Sequence, residues 1–415
     1  MSKNETLNIF TYDYPSLGGE SIFIKDEIKF LSNKFKKINI IPLKNRQQKL
    51  RNDKKNISIN YGLINEIYDV KKILSKFIKI LICKLFWAEL ISLKRKNIFS
   101  KIIMTVKERY LAESVYLWVK NNKNLHNGYF YSIWSNHTLL GFYLLKQKKI
   151  IKKSFARILG SDLKGFIPRN EYISFRKFKF KTLDLVLTLN NEQKNILVQK
   201  KLIKTENIKK NYLGINESKS KKTNKLNKKR LIFASCGRFI HAKNTIEILN
   251  FIKIFAKNNK HLNIDYYCIG DGYQKEKILD FARYEFPENI KFKFKNYVPS
   301  LVKFLKEKKI NYFLNFSFSE GMSFAIMEAL SCSLPIICSD IPGNNEIINK
   351  RNGYLIKSFN EKEYLSISKK IMVDIKNNRY QNKQKESLKT TLKKINRLKC
   401  LASLNKIINK NILLK

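Results

Sequence analysis

The chain has 415 residues, enough for two domains that each bury a core, and 83 Lys and Arg against 33 Asp and Glu give it a formal net charge of +50 at pH 7. Its six cysteines show no paired short spacing and most lie in apolar, strand-like runs, which argues against a zinc framework or a disulfide scaffold. With no export signal ahead of Leu7, this cysteine usage is that expected of a reduced, cytoplasmic protein.

The positive charge comes from lysines spread over nearly every segment rather than from one tail. Two readings stand: a compositional bias toward Lys, Asn and Ile, or attraction to polyanions such as anionic lipid, nucleic acid or phosphorylated substrates. A specific nucleic-acid binder is disfavoured, because no docking motif or aromatic-basic platform accompanies the charge.

In chain order, "LNIFT" from Leu7 predicts a strand, Gly18 and Gly19 a turn, and Ile24, Ile28, Leu31 and Phe35 the apolar face of a helix. A second strand over Ile38 to Pro42 completes a βαβ unit of a parallel sheet. The stretch from Val70 to Met104 alternates apolar residues with Lys76, Lys79 and Lys84 and contains no run of roughly 18 uncharged apolar residues, so it does not span a bilayer. It reads either as an interfacial helix with basic flanks or as a helix packed on its own domain with lysines snorkelling outward. Further strands are expected at "GYFYSIWS", "FARILGSDL" and "LDLVLTLN", making the first domain doubly wound.

The text "NESKSKKTNKLNKKR" lacks apolar periodicity and marks a linker over 216–230, between a domain of residues 1–215 and one of 231–380. The second domain repeats the alternation with strands at "LIFASCGRF", "IDYYCIGDG", "KFKFKNYV", "NYFLNFS" and "PIICSD", and with a helix striped by Ile248, Leu249, Ile252, Phe255 and Ala256. Residues 381–415 read as a basic helical segment.

In open parallel sheets ligands bind where strand ends feed helix N-termini. "NYFLNFS" leads through "FSEG", with Gly321, into a helix expected to begin near Met322, so the amides around Ser323 and Phe324 form a seat for a diphosphate. Glu320 stands before that helix and Glu328 eight residues on, roughly 80° round it. Such carboxylates either accept hydrogen bonds from sugar hydroxyls or serve as a helix-end charge and a surface acid. In "SCGRFIHAKN" a strand ends at Cys236, Gly237 permits a close turn, and Arg238 and Lys243 bracket the next helix start as diphosphate-holding cations. Gly18 and Gly19 allow a ligand to approach the first turn. No G-x-G-x-x-G or P-loop pattern occurs and no two aspartates stand two apart, so nicotinamide cofactors and a D-x-D metal site are not expected. His137, after a strand end, is the histidine placed to reach an interdomain cleft.

"SEGMSFAIMEALSCSLPIICSDIPGNNEII" resembles the E-x7-E segment of retaining GT-B glycosyltransferases of family 4, the glycosyl transferases group 1. "GRFIHAKN" is similar to that family's G-R-L-x-x-x-K-G and "YPSLGGES" to its N-terminal glycine loop, while "ILGSDL" and "NYLGI" resemble members that build bacterial surface polysaccharide, such as capsule or lipopolysaccharide. The resemblance implies an α/β GT-B architecture, two Rossmann-like doubly wound domains facing a central cleft, with the acceptor in the first domain and a nucleotide-sugar in the second. It implies a hexosyl-type transfer with retention and without a metal or other cofactor. Arg238 and Lys243 would hold the diphosphate, Glu320 the sugar and Glu328 the ribose. Gly237, Gly321, Ser323 and Phe324 would line the donor site, Gly18 and Gly19 would close on the diphosphate, and His137 and Asp162 would belong to the acceptor cleft. The acceptor would be a growing or lipid-linked glycan, met at the inner face of the cell membrane, where the basic surface docks on anionic lipid. Leu159 stands where relatives have His before Gly160, Cys332-Ser333 replaces a bulky residue and glycine, and Pro342-Gly343 replaces a glycine pair. The first departure leaves open a catalytically weakened relative serving as a nucleotide-sugar-binding partner or scaffold.

Overall fold

The computed structural model describes residues 5–16, 20–45, 54–160, 162–163, 172–216 and 226–414. The chain forms two compact units, one made of residues up to Leu213 with the chain end from Leu401, the other of Gly214–Cys400. Within residues 381–415 the last helix, Arg397–Ile408, begins in the second unit and ends in the first.

The strands of the first unit are β1 (Thr6–Thr11), β2 (Lys37–Pro42), β3 (Ile57–Ile59), β4 (Tyr129–Ile133), β5 (Ser154–Arg157), β6 (Leu185–Thr188) and β7 (Ile208–Lys210). They pair in parallel in the order β3-β2-β1-β4-β5-β6-β7. Central strands such as "LNIFT" are buried along their whole length, as expected when helices cover both faces of a parallel sheet. Phe10, Phe130 and Phe142 pack edge and face on one side, with Phe10 and Phe142 centroids 5.1 Å apart. On the other side Arg157, fully buried, bonds Glu27 through Nη2 at 2.9 Å and the Asn211 carbonyl through Nη1 at 2.9 Å, while the Tyr131 hydroxyl donates to Glu27.

The second unit holds β8 (Arg230–Cys236), β9 (Asn263–Ile269), β10 (Ile290–Lys295), β11 (Tyr312–Asn315), β12 (Ile336–Ser339) and β13 (Gly353–Ile356), all parallel, in the order β10-β9-β8-β11-β12-β13. Ile248, Leu249, Ile252, Phe255 and Ala256 of the helix Thr245–Lys257 are buried against this sheet, as their spacing predicted. In each unit strand order reverses at the centre, between β1 and β4 and between β8 and β11, and the loops diverging there leave a crevice.

Val70 to Met104 is not one helix. A short turn, Val70–Lys72, precedes the helices Ile73–Leu81, Lys84–Ile91 and Ile98–Asn121, with breaks at Cys83, which is extended, and Asn97, which is left-handed. The strands β3, β7 and β13 were not anticipated. Each has only three or four residues and all three lie at sheet edges, where no continuous apolar run is required.

Replacing Glu27 with Gln leaves the buried Arg157 guanidinium without its counter-charge. A loss of about 3–5 kcal/mol is expected in urea unfolding; an unchanged midpoint would show that Asn211 and Tyr131 suffice.

Candidate functional site

The second unit concentrates its chemistry at the reversal between β8 and β11. The loop after β8 carries Gly237, Arg238 and Lys243, and the loop after β11 carries Ser317, Glu320 and Gly321 before the helix Phe324–Ser331. Lys243 Nζ lies 2.5 Å from Glu320 Oε1, which also accepts from Ser317 Oγ at 2.8 Å. The Phe318 amide donates to the Ala242 carbonyl at 3.0 Å, so backbone and side chains both tie the two loops together. Arg238 is exposed and forms no ion pair with a carboxylate among the described residues. His241, also exposed, stacks on Phe318 with centroids 5.1 Å apart.

Ser323 is the N-cap of the site helix, one residue before the helix start and slightly later than expected. Its hydroxyl faces the Ile326 amide and receives a bond from Asn315 Nδ2 at 3.2 Å. In the first turn the amides of Phe324 and Ala325 have no intrahelical acceptor and give the edge a positive character. Further along the same helix, the Glu328 carboxylate has no hydrogen-bond partner among the described residues. Burial alone pushes its pKa from 4.5 up to about 7. Burial and then the Glu328 charge raise the Cys236 thiol at the end of β8, which places Glu328 near that strand end.

Two glycines hold these loops. Gly343, at φ 93°, packs so closely that a Cβ would come within 2.5 Å of the Gly321 carbonyl. Gly270 presses on the Gly237 carbonyl, where a Cβ would meet oxygen at 1.9 Å. Gly237 itself has ordinary room for a Cβ, with Lys243 carbons at 3.8 Å, so within the folded chain the tight approach assigned to it belongs to Gly270. Sequence reasoning also passed over Arg397. This buried side chain from the chain's basic end sets its guanidinium 5.9 Å from the Phe324 ring, beneath the site helix. No motif announces it, since its partner lies far away in sequence.

At the reversal in the first unit, Gly18 and Gly19 lie outside the described residues. Glu20, directly after them, is buried and links the loops of β1 and β4. One carboxylate oxygen accepts from the amides of Asp13 at 2.8 Å and Tyr14 at 2.7 Å, and the other from Trp134 Nε1 at 2.8 Å. Trp134 adopts φ 93°. Glu20 was not singled out by sequence; an acid next to a glycine turn is legible only once its amide donors are seen. His137 opens the helix His137–Gln147 at this edge, but its Nε2 is buried with no partner among the described residues, and burial lowers its pKa to about 4. Asp162 Oδ2 accepts from the Leu159 amide at 2.7 Å, and burial raises its pKa to about 6. Leu159 points its side chain into the core.

Residues 216–388 match the family described as Glycosyl transferases group 1. Among curated proteins the chain is similar to the UDP-Gal:alpha-D-GlcNAc-diphosphoundecaprenol alpha-1,3-galactosyltransferase of Escherichia coli, at 28% identity over 140 residues, which is 32% of this chain and 34% of that protein. The chain thus spans about a third of that relative. Among solved structures it resembles the lipopolysaccharide outer core galactosyltransferase WaaB in its apo form, at 14% identity and TM-score 0.69, covering 98% of this chain and 100% of that one. It also resembles Anabaena Alr3699/HepE in complex with UDP, at 12% identity and TM-score 0.63, covering 98% and 100%. The fold is GT-B.

Between pH 4.5 and about 7 native Glu328 keeps a proton that the unfolded chain has lost. Stability therefore falls as pH rises across that window. Glu328→Gln should flatten this slope and raise Tm at pH 8 relative to wild type; parallel pH profiles of Tm would place the carboxylate in solvent.

Proposed function

We propose that this chain is a glycosyltransferase that moves a hexosyl unit from a nucleotide-sugar to a growing or lipid-linked glycan, with the second unit holding the donor. The observation that carries this reading is the Lys243–Glu320 pair at the reversal between β8 and β11, beside the open amides of the helix Phe324–Ser331. A sugar diphosphate needs cations and amides for its phosphates and carboxylates for its hydroxyls, and this edge offers both. The matching family region over 216–388 supports the same assignment.

In this reading Lys243 and Arg238 hold the diphosphate, and the amides near Ser323 and Phe324 complete its seat. Glu320 has both of its observed donors on Oε1, leaving Oε2 to accept from the transferred sugar. Glu328 has no donor among the described residues, and ribose hydroxyls would supply one. The sugar–phosphate bond breaks with its electron pair passing to the diphosphate, where Lys243 and Arg238 stabilise the growing charge. The acceptor hydroxyl bonds to the anomeric carbon on the face the diphosphate leaves, giving retention, and its proton passes to the departing phosphate oxygen. No step calls for a metal. The acceptor enters along the first unit near Asp162 and His137. A lipid-diphosphate acceptor, of the kind named for the Escherichia coli relative, suits a cytoplasmic enzyme working at the membrane face.

The test is thermal stabilisation by UDP-, GDP- and ADP-sugars. One nucleotide class should raise Tm, and Arg238→Ala and Lys243→Met should each weaken its binding about 10- to 100-fold, the loss of one charged hydrogen bond. Turnover with the selected donor should survive EDTA. Equal binding by wild type and both variants would remove the donor site from this edge.

A further inference from the structure

We propose that the outer face of the helices Ile73–Leu81 and Lys84–Ile91, continued by the start of Ile98–Asn121, inserts into the headgroup boundary of a bilayer that bears anionic lipid. This surface belongs to the first unit and includes none of the residues assigned to the donor site.

Of the helix Ile73–Leu81 only Lys76 and Ile80 are buried, whereas a helix packed on a soluble core buries most of its apolar residues. Its Lys76 is fully buried, donating to the Glu66 carbonyl, 3.3 Å from the Glu66 carboxylate and 5.2 Å from the centre of the Tyr110 ring. Lys76 therefore does not snorkel outward. Leu74, Ile78, Leu81 and Ile82 are instead exposed, at 73%, 50%, 54% and 75%. Their spacing of four, three and one residues sets them on one stripe. The pattern recurs along the chain, with Trp87 and Ile91 49% and 83% exposed, then Phe99 and Ile103 80% and 66% exposed. Three successive helices thus each turn apolar side chains toward solvent, exposure of the kind that marks an interaction surface.

The charges beside it are of one sign. Lys71, Lys79, Lys84 and the run Lys94, Arg95 and Lys96 are exposed. The one acid between Val70 and Met104, Glu89, is turned inward, accepting from the Tyr172 hydroxyl at 2.7 Å and the Phe175 amide at 2.8 Å. Apolar residues framed by cations match the acyl boundary and anionic headgroups of a membrane. A second copy would press like charges together on this face. The helices Ile73–Leu81 and Lys84–Ile91 are too short to span: nine residues reach about 14 Å against a hydrocarbon core of about 30 Å. No helix among the described residues is long and apolar enough to cross a membrane.

The test is flotation of the full chain with phosphatidylcholine vesicles, with and without phosphatidylglycerol, at low salt and in 0.5 M NaCl. Binding should require phosphatidylglycerol at first contact and largely persist in high salt, because buried apolar surface is not screened. Trp87 emission should be quenched by brominated lipid, a signal lost in Trp87→Phe. The combined Leu74→Ser, Ile78→Ser and Ile82→Ser variant should keep the wild-type Tm and bind vesicles at least tenfold more weakly in high salt. Absence of flotation would overturn the proposal. So would binding that vanishes in salt and ignores the triple substitution, or a dimer in solution that the substitution dissociates. Donor-induced stabilisation, measured without vesicles, reports separately on sugar transfer.

Discussion

The Lys243–Glu320 ion pair sits where strand order reverses in the second sheet, and the rest of the candidate site is arranged around it. At a reversal, the loops of two adjacent parallel strands run to opposite faces and leave their backbone ends uncovered. Here the crevice is bridged by one cation and one carboxylate from the two sides, reinforced by the Phe318 to Ala242 backbone bond. The pair keeps a positive and a negative group in register at one edge. A ligand that carries both phosphate and hydroxyl groups can engage them together, whereas a simple anion meets Glu320 as a repulsive neighbour.

Holding that edge has costs that the surrounding residues reveal. Gly343 and Gly270 allow backbones to approach more closely than any side chain permits, and they fix the Gly321 and Gly237 loops from behind. Arg397 supports Phe324 from below. Glu328 is kept half-buried with no hydrogen-bond partner among the described residues, an arrangement that lowers stability at neutral pH. In the first unit Glu20 has the corresponding tying role across β1 and β4, but there it is saturated by three donors and acts as structure.

Much of this was legible from sequence. The long strands and the helix from Thr245 follow from continuous apolar runs and helical periodicity, and the Glu320, Lys243, Ser323 and Glu328 cluster follows from where strands end. What escaped notice depends on long-range contact. The partner of Arg397 lies about seventy residues upstream, the need for glycine at 270 arises from another loop's carbonyl, and Glu20 has meaning only with its amides. The Val70 to Met104 stretch shows the same limit. Its composition left open an interfacial helix with basic flanks or a packed helix with lysines snorkelling outward, because periodicity does not say which side of a helix meets the core; Lys76 points inward through its pairing with Glu66.

The most direct test of the account is calorimetric titration of wild type and Glu320→Gln with a nucleoside diphosphate and with the corresponding nucleotide-sugar. If Glu320 reads the sugar while Lys243 and the helix end hold the phosphates, Glu320→Gln should bind the diphosphate as tightly as wild type or more so, and should lose the added affinity that the sugar confers. Retention of that added affinity, or loss of diphosphate binding along with it, would contradict the division of labour on which the account rests.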